Sequence, residues 1–340
     1  MTTNNLFSLL AYAYIILLST SAYSKNHSSC LKKKDPYFQE KCVGMVIDPK
    51  TNKDFEISGS DYINLNNHKY LFSIGDSGNG ANIYKTDLKD FKTKKYKVKS
   101  KKYSVVNLDW ESLNIDHKTK KIWIVDGGGN IFHRKSVQLY SIELDKFNSK
   151  SKDIYISDRI NLKVPKDYEN LNLISGQDFE ATFIYNSNLY LIGKNSLKFY
   201  TYNLESKSKS PTMTKIGFIN NKPSNNPQHY LFQATDSKIV DLDSEYLILK
   251  ILTYTGLFTC KISKELLSKK IPNSVYCNSS LKVGLDLRKR KNKLNSKHGF
   301  SMFQIETLIS FSEKKDMIIK EKGPAFYLDN FNPKHPLVLK

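Results

Sequence analysis

The sequence predicts an all-β fold assembled from copies of one short antiparallel unit, and three observations carry the prediction. Residues 109–129, DWESLNIDHKTKKIWIVDGGG, read as a strand opening on Asp109 and Glu111, a polar turn, and a second strand closing on Asp126 and three glycines. The same order recurs at residues 177–194, QDFEATFIYNSNLYLIGK: two acids, a strand, an Asn-Ser-Asn turn, a strand and a polar end. The apolar residues are strand formers (Ile, Leu, Tyr, Phe, Val), and 39% hydrophobic with 12% aromatic content suffices for a sizeable core. A short meander cannot bury both of its faces alone, so repeats of it point to a β-propeller whose blades cover one another. A β-sandwich also has many short strands. It does not explain why the same polar residues return at the same place in each unit.

In chain order, residues 6–22 are uncharged and largely apolar, and Ala22-Tyr23-Ser24 offers a cleavage site before Lys25. Residues 1–24 therefore read as a signal peptide, which predicts a secreted or periplasmic protein. An uncleaved N-terminal anchor is the alternative, because a run of about 17 residues is near the short limit for spanning a bilayer. Residues 25–43 form a polar, basic arm, and residues 44–340 a single propeller domain.

Unit one is 61–88, with strands at 62–65, 70–74 and 83–88 and a Gly-rich loop, SGNGAN, ahead of the third. A lysine-rich connection, 89–102, leaves room for an outer strand. Unit two is 109–144, and the long connection 145–175 holds one strand. Unit three is 178–204, followed by a loop, 205–228, around a short strand at 215–219. Unit four is 234–262, and residues 277–299 read as a basic linker. Unit five is 304–330, and a sixth could be built from 42–57 with the C-terminus. The prediction is five to six blades, six favoured, around an acid-lined central channel.

The four cysteines, Cys30, Cys42, Cys260 and Cys277, allow three pairings in an exported protein. Sequence proximity favours Cys30–Cys42 and Cys260–Cys277. None lies in a CxxC, which argues against redox or thiolate-metal roles.

The net charge of +20 comes mostly from lysines in loops, such as 32–34, 92–102 and 282–297. They read first as solvated loop tips and second as attraction to anionic surfaces. No zinc-finger spacing, RNA-binding signature or recognition-helix pattern supports specific nucleic-acid binding.

In a propeller the inner strand of each blade starts at one face of the channel, and the second strand returns to that face. Acids at the first position and polar residues at the second should therefore meet. The starts are Asp61, Asp109 with Glu111, Asp178 with Glu180, Asp236 and Glu306. The ends are Asp76, Asp126, Lys194, Lys250 and Lys320. Two-residue spacing puts Asp109 and Glu111 on one face of their strand, and Asp178 and Glu180 likewise. Grouped carboxylates repel unless a cation intervenes, and a hard ion with oxygen ligands, Ca²⁺ or Mg²⁺, fits them. Glu111, Asp178, Glu180 and Glu306 are the candidate metal ligands. Asp76, Asp109, Asp126, Lys194, Asp236, Lys250 and Lys320 are candidate ligand-binding residues, with Asn130 and Asn195 near the second-strand ends. Strand-start acids also serve as backbone caps. The Asp126–Asn130 loop lacks the lysine and helix of a phosphate loop and reads as a tight turn. No HExxH, paired histidines or GxSxG occurs, so no catalytic residue can be assigned.

DWESLNID with KIWIVDGGGN, QDFEATFIYNSNLYLIGKN, ATDSKIVDLDSEYLILKILTYTG and QIETLISFSE resemble, in order, blade motifs of secreted bacterial β-propeller proteins. Those carry D-W-E-[AD], D-x-E-A, T-D-x-x-x-S-P-D-G with an R-T-Y strand, and E-A-[IL] followed by S-E. The resemblance spans about residues 61–329 and implies a fold more than an activity. This chain departs from it at Lys250-Ile251-Leu252-Thr253-Tyr254 and at Asp241-Leu242-Asp243. More distantly, it is similar to six-bladed lactonase and phytase-like propellers, whose channel carboxylates hold a divalent cation. Three functions compete: binding of a small molecule or protein at the channel mouth, with a divalent cation; metal-dependent hydrolysis of phosphoesters or lactones; and adhesion to anionic surfaces. A monomer is expected.

Overall fold

The computed structural model describes residues 42–45, 49–50, 56–65, 67–129, 136–165, 178–194, 196–221, 234–241, 243–253, 256–269, 273–282, 305–312, 315–320 and 324–329. The signal reading, residues 25–41 of the arm, Cys30, Asn130 and Asn195 lie outside them, while Cys42 and Val43, read as the end of the arm, begin a strand. Among the described residues no helix is long and apolar enough to cross a membrane.

The described residues form 21 strands. β1 is Cys42–Met45, and a meander follows: β2 Ile57–Leu65, β3 His68–Gly75, β4 Asn82–Asp87 and β5 Thr93–Lys99. Next come β6 Trp110–Asp116, β7 Lys121–Asp126, β8 Ser136–Glu143, β9 Asp153–Tyr155 and β10 Asp158–Lys163. The third meander is β11 Ala181–Tyr185, β12 Asn188–Ile192, β13 Lys198–Asn203 and β14 Thr214–Asn221. Then follow β15 Ala234–Asp241, β16 Tyr246–Thr253, β17 Gly256–Ser263, a short helix Lys264–Lys269 and β18 Asn273–Lys282. β19 Ile305–Ser312, β20 Lys315–Lys320 and β21 Pro324–Asp329 close the chain. The Asn-Ser-Asn turn behaves as its residues suggest: Asn186 and Ser187 have φ of 47° and 57°, the left-handed pair that a tight hairpin needs.

Four hydrogen-bonded sheets result, in the orders β1-β21-β20-β19, β10-β8-β7-β6, β2-β3-β4-β5-β9, and an eight-stranded β11-β12-β13-β14-β18-β17-β16-β15. The last is two antiparallel meanders joined edge to edge by the parallel pair β14–β18. The sheets form a propeller. Its first strands stand side by side: β2 touches β6, β6 touches β11, β11 touches β15, β15 touches β19, and β19 touches β2. Apolar clusters fill the gaps between neighbouring meanders. Ile63, Phe72 and Ile74 pack with Trp110, Leu113 and Tyr140. Val125 and Leu139 pack with Leu191 and Tyr200. Neighbouring meanders thus meet through apolar faces, as stacked blades require.

The structure corrects several boundaries. β2 starts at Ile57, so Asp61 lies mid-strand and not at its opening. The missed half carries buried Ser58 and Ser60, which give no apolar alternation to read. Residues 273–282, read partly as a basic linker, are strand β18. Residues 145–165 hold two strands, and β9 crosses to pair in parallel with β5 of the preceding meander. The segment expected to seed a sixth unit instead completes the last sheet, since β1 pairs with β21.

A buried carboxylate cluster at the strand starts

Local backbone features aim the acids. Trp110 pairs with Asp126 and Ser112 with Val125, so Glu111 is the extra residue of a β-bulge. The same slip occurs at Ser58 in β2, Thr235 in β15 and Glu306 in β19. A bulge re-aims a side chain and ends regular pairing, which is why the first residues of these strands leave the sheet pattern. Strand alternation alone therefore did not describe the Asp109–Glu111 pair.

Backbone and side-chain bonds tie the starts together. Asn107 Nδ2 donates to the carbonyls of Gly75 at 2.8 Å and Asp76 at 3.1 Å, while its Oδ1 accepts the Trp110 N–H at 2.9 Å. The Gly128 N–H donates to the Asp109 carbonyl at 3.2 Å, and the Phe179 N–H to the Gly127 carbonyl at 3.2 Å. The Lys194 N–H donates to the Asp178 carbonyl at 2.8 Å, and the Ala234 N–H to the Lys194 carbonyl at 3.2 Å.

Five carboxylates converge on this frame. Asp76, Asp109 and Glu111 form one triplet, and Glu111, Asp178 and Glu180 a second; in each, one oxygen per residue lies within 4.8 Å of the others. Glu111 belongs to both. It is 5% exposed. Among the described residues it has no hydrogen-bond donor and no cation against it. Burial first, then Glu180, Asp178, Asp109 and Asp76, push its carboxyl well above the usual range. Lys194 is the counter-charge on the other side. Its Nζ pairs with Glu180 Oε1 and stands 3.5 Å from Asp178 Oδ2. Burial raises the Asp178 carboxyl, while Lys194 and the Gly129 N–H pull it back down.

Six of the sequence-predicted residues thus meet: Asp76, Asp109, Glu111, Asp178, Glu180 and Lys194. Others do not join the two triplets. Asp126 is buried and accepts the Asp109 N–H on Oδ1 at 3.2 Å, a support beneath the cluster. Asp61 and Asp236 clamp neighbouring first strands. Asp61 Oδ2 takes the Ile115 N–H at 2.8 Å, and Asp236 Oδ2 takes the Leu308 N–H at 2.9 Å. Asp236 also holds Lys238 Nζ at 2.9 Å. Lys250 is not at a strand end: it lies three residues inside β16, opposite Lys238. Lys320 ends β20 opposite Ile305, but its side chain and that of Glu306 lie outside the described residues. Cys260 stands opposite Cys277 on adjacent antiparallel strands.

Asn107, Gly128 and Lys238 escaped the sequence reading. A glycine run was visible at Gly128; nothing local marks Asn107 or Lys238. Below the cluster the first strands are stitched by small polar groups, with Asn114 Nδ2 donating to Thr182 Oγ1 at 2.6 Å and Ser112 Oγ at 2.6 Å from the same hydroxyl. At the far ends of these strands lies a cavity of about 250 Å³ bordered by Asp61, Asn114, His117, Lys238 and Ser310.

No protein-family model matches the chain, and no curated protein matches it. Among solved structures, a GH43 β-1,3-galactosidase bound to galactodeoxynojirimycin aligns with a TM-score of 0.45 at 11% identity, covering 84% of this chain and 93% of that one. Glutaminyl cyclase of Myxococcus xanthus aligns with a TM-score of 0.42 at 8% identity, over 82% and 93%. The Cps50 (Swd1) β-propeller domain of Myceliophteria thermophila aligns with a TM-score of 0.38 at 9% identity, over 83% and 65%. What the sheets and the cluster define on their own is a propeller with buried carboxylates gathered at the starts of its first strands.

Proposed function

We propose that the protein is an exported five-bladed propeller that holds a divalent cation at the carboxylate cluster and binds a ligand or partner there. The observation that carries the reading is Glu111, a buried carboxylate among four others with no hydrogen-bond donor among the described residues. Such a group must either take up a proton or meet a cation. Five carboxylates of flexible reach suit Ca²⁺, which accepts more oxygen ligands and less regular geometry than Mg²⁺. Asp76 is only half-buried, which leaves a way in from solvent. The blade count follows the closed order of first strands, with the eight-stranded sheet taken as two blades. A Cys260–Cys277 disulfide accords with their cross-strand register and with export.

Hydrolysis of a phosphoester or lactone is the extension of this reading, in which the ion would polarise a substrate oxygen. Calorimetric titration of chelator-stripped protein with Ca²⁺ and Mg²⁺, beside a Glu111→Ala/Glu180→Ala variant, tests the site. Tight binding by the wild type that the variant loses supports it and justifies screening both substrate classes. Heatless titrations of a folded wild-type protein would sink it.

One observation favours the adhesion reading separately. A groove of about 820 Å³ near β4 and β5 is lined by Lys50, Lys94, Lys95, Lys97, Lys150 and Lys152. Retention on an anionic polymer that is released by salt, and that persists in the Glu111→Ala/Glu180→Ala variant, would assign adhesion to this groove.

A further inference from the structure

The carboxylate cluster occupies one end of the first strands, and the cavity of about 250 Å³ lies toward the other. We propose that this cavity is a second binding site, independent of the cation reading above, and that it takes a small organic anion: a carboxylate on a compact apolar or aromatic body.

Its position is that of the opposite channel mouth. Asp61, Asn114, Phe183, Lys238 and Ser310 border it, one from each of the five first strands. Among the described residues none of the cluster side chains reaches it. Ser112 and Thr182, bonded to each other at 2.6 Å, lie between the two sites along β6 and β11. The volume is below the roughly 300–1,000 Å³ of pockets that hold drug-sized ligands, so the occupant is small.

The charges around the cavity differ in what they are bonded to. Both oxygens of Asp61 accept backbone N–H groups, from Tyr62 and from Ile115, each at 2.8 Å. Asp241 sits at the rim with 77% of its side chain exposed and pairs with Lys264 at 3.0 Å. These acids are turned to the backbone and to another lysine. Lys238 is the buried charge, only 6% exposed, and it gives one N–H to Asp236 Oδ1 at 2.9 Å. Asp236 also accepts the N–H groups of Ser237 and Leu308, so its negative charge is shared among three donors. An ammonium carries three donors and no acceptor, and a buried one is favoured by further anionic partners. A carboxylate in the cavity would supply such a partner through a charge-assisted bond. His117, exposed in the turn after β6, offers a second nitrogen at the rim.

The apolar part of the ligand has a wall to meet. The rings of Tyr62 and Phe311 both border the cavity and stand edge-on, their centroids 4.7 Å apart. A flat apolar body lies well against such rings while its carboxylate faces Lys238.

Benzoate is the probe, and benzamide its neutral counterpart of the same shape. Ligand-observed NMR titration, run in chelator so that no metal ion attracts the carboxylate, compares wild type, Lys238→Gln, Lys238→Arg and Glu111→Ala/Glu180→Ala. Benzoate should saturate wild type and the Glu111→Ala/Glu180→Ala variant alike, with a Kd of about 1 mM or below. Benzamide on wild type, and benzoate on Lys238→Gln, should each bind at least about tenfold more weakly, while Lys238→Arg keeps most of the affinity. A folded wild type that benzoate does not saturate by about 10 mM would overturn the proposal. So would equal binding of benzamide, or benzoate binding that Lys238→Gln leaves unchanged. Loss of benzoate from the Glu111→Ala/Glu180→Ala variant would move the anion to the cluster and overturn it as well. Should Lys238→Gln fail to fold, Ser310→Trp, which puts an indole into the cavity, decides the location: it should abolish benzoate binding, and retained binding would overturn the assignment.

Discussion

Gly128 stands against the carboxylate of Asp109 so closely that a β-carbon there would lie 2.1 Å from Asp109 Oδ2 and 2.5 Å from Glu111 Oε1. The glycine is required by the acids. Its lack of a side chain lets the loop after β7 close over the cluster, and the GGG run is thus neither a phosphate cradle nor a spacer. Gly128→Ala should push the two carboxylates apart, cost about 1–3 kcal/mol of stability, and weaken Ca²⁺ binding at least about tenfold. Thermal denaturation and calorimetry on the same preparation check both halves.

Glu111→Gln should separate stability from binding. The amide keeps the shape but removes a buried charge faced by four other carboxylates. In chelator at pH 8 the variant should be more stable than wild type by about 1 kcal/mol or more. Its Ca²⁺ affinity should fall by about 100-fold or more. A variant less stable than wild type in chelator would show that Glu111 is already neutralised by a bound proton.

Asp61 should behave in the opposite way. It accepts the N–H groups of Tyr62 and Ile115, both at 2.8 Å, and so bonds β2 to β6. Asp61→Ala should cost about 1–3 kcal/mol, because the Ile115 N–H loses its acceptor. Asp61→Asn, which retains an acceptor, should cost less. Neither should change the calcium count, and a change would bring Asp61 into the site.

Asp236 makes stability depend on pH. Burial raises its carboxyl from 3.8 to about 6, against the pull of Lys238 and the N–H groups of Leu308 and Ser237; Lys250 lies opposite Lys238 on β16. The folded state holds this proton more tightly than the unfolded chain. Its contribution is therefore full below about pH 4 and is lost as pH rises through about 6, by about 3 kcal/mol. Urea denaturation in chelator from pH 4 to pH 8 should show that decline in wild type relative to Asp236→Asn. A constant difference between the two would show that Lys238 keeps Asp236 charged throughout.

Cys260 and Cys277 face each other across β17 and β18. A disulfide closing a loop of about 15 residues is worth about 3 kcal/mol. Reduction, or the Cys260→Ala/Cys277→Ala pair, should lower stability by that amount. Two reactive thiols at these positions in unreduced, denatured protein would count against the bond.

Much of the site was legible because its signal is local. Repeated acids before apolar runs, and polar residues after the return strands, identify the same face of each unit, and Asp76, Asp109, Glu111, Asp178, Glu180 and Lys194 do meet there. The reading failed where one pattern covers two roles. Asp61 and Asp236 sit in the same motif as the cluster acids, yet each caps the backbone of the next strand. Lys250 looked like a strand end because a lysine breaks the apolar run, yet buried Ile251, Leu252 and Thr253 continue β16 past it.

By itself, then, the sequence determined the kind of architecture and the side on which acids gather, because strand propensity, two-residue alternation and turn chemistry act over a few neighbouring residues. Tertiary structure alone decided which acids share a site and which serve as clamps. That choice depends on bulges that turn Glu111 out of register, on which strand stands beside which, and on a glycine thin enough to let carboxylates approach. It also decided the role of Lys194, whose charge is plain in the sequence but whose partners, Asp178 and Glu180, are set by how the return strand β12 ends beside the start of β11. These are relations between distant segments, and no local pattern encodes them.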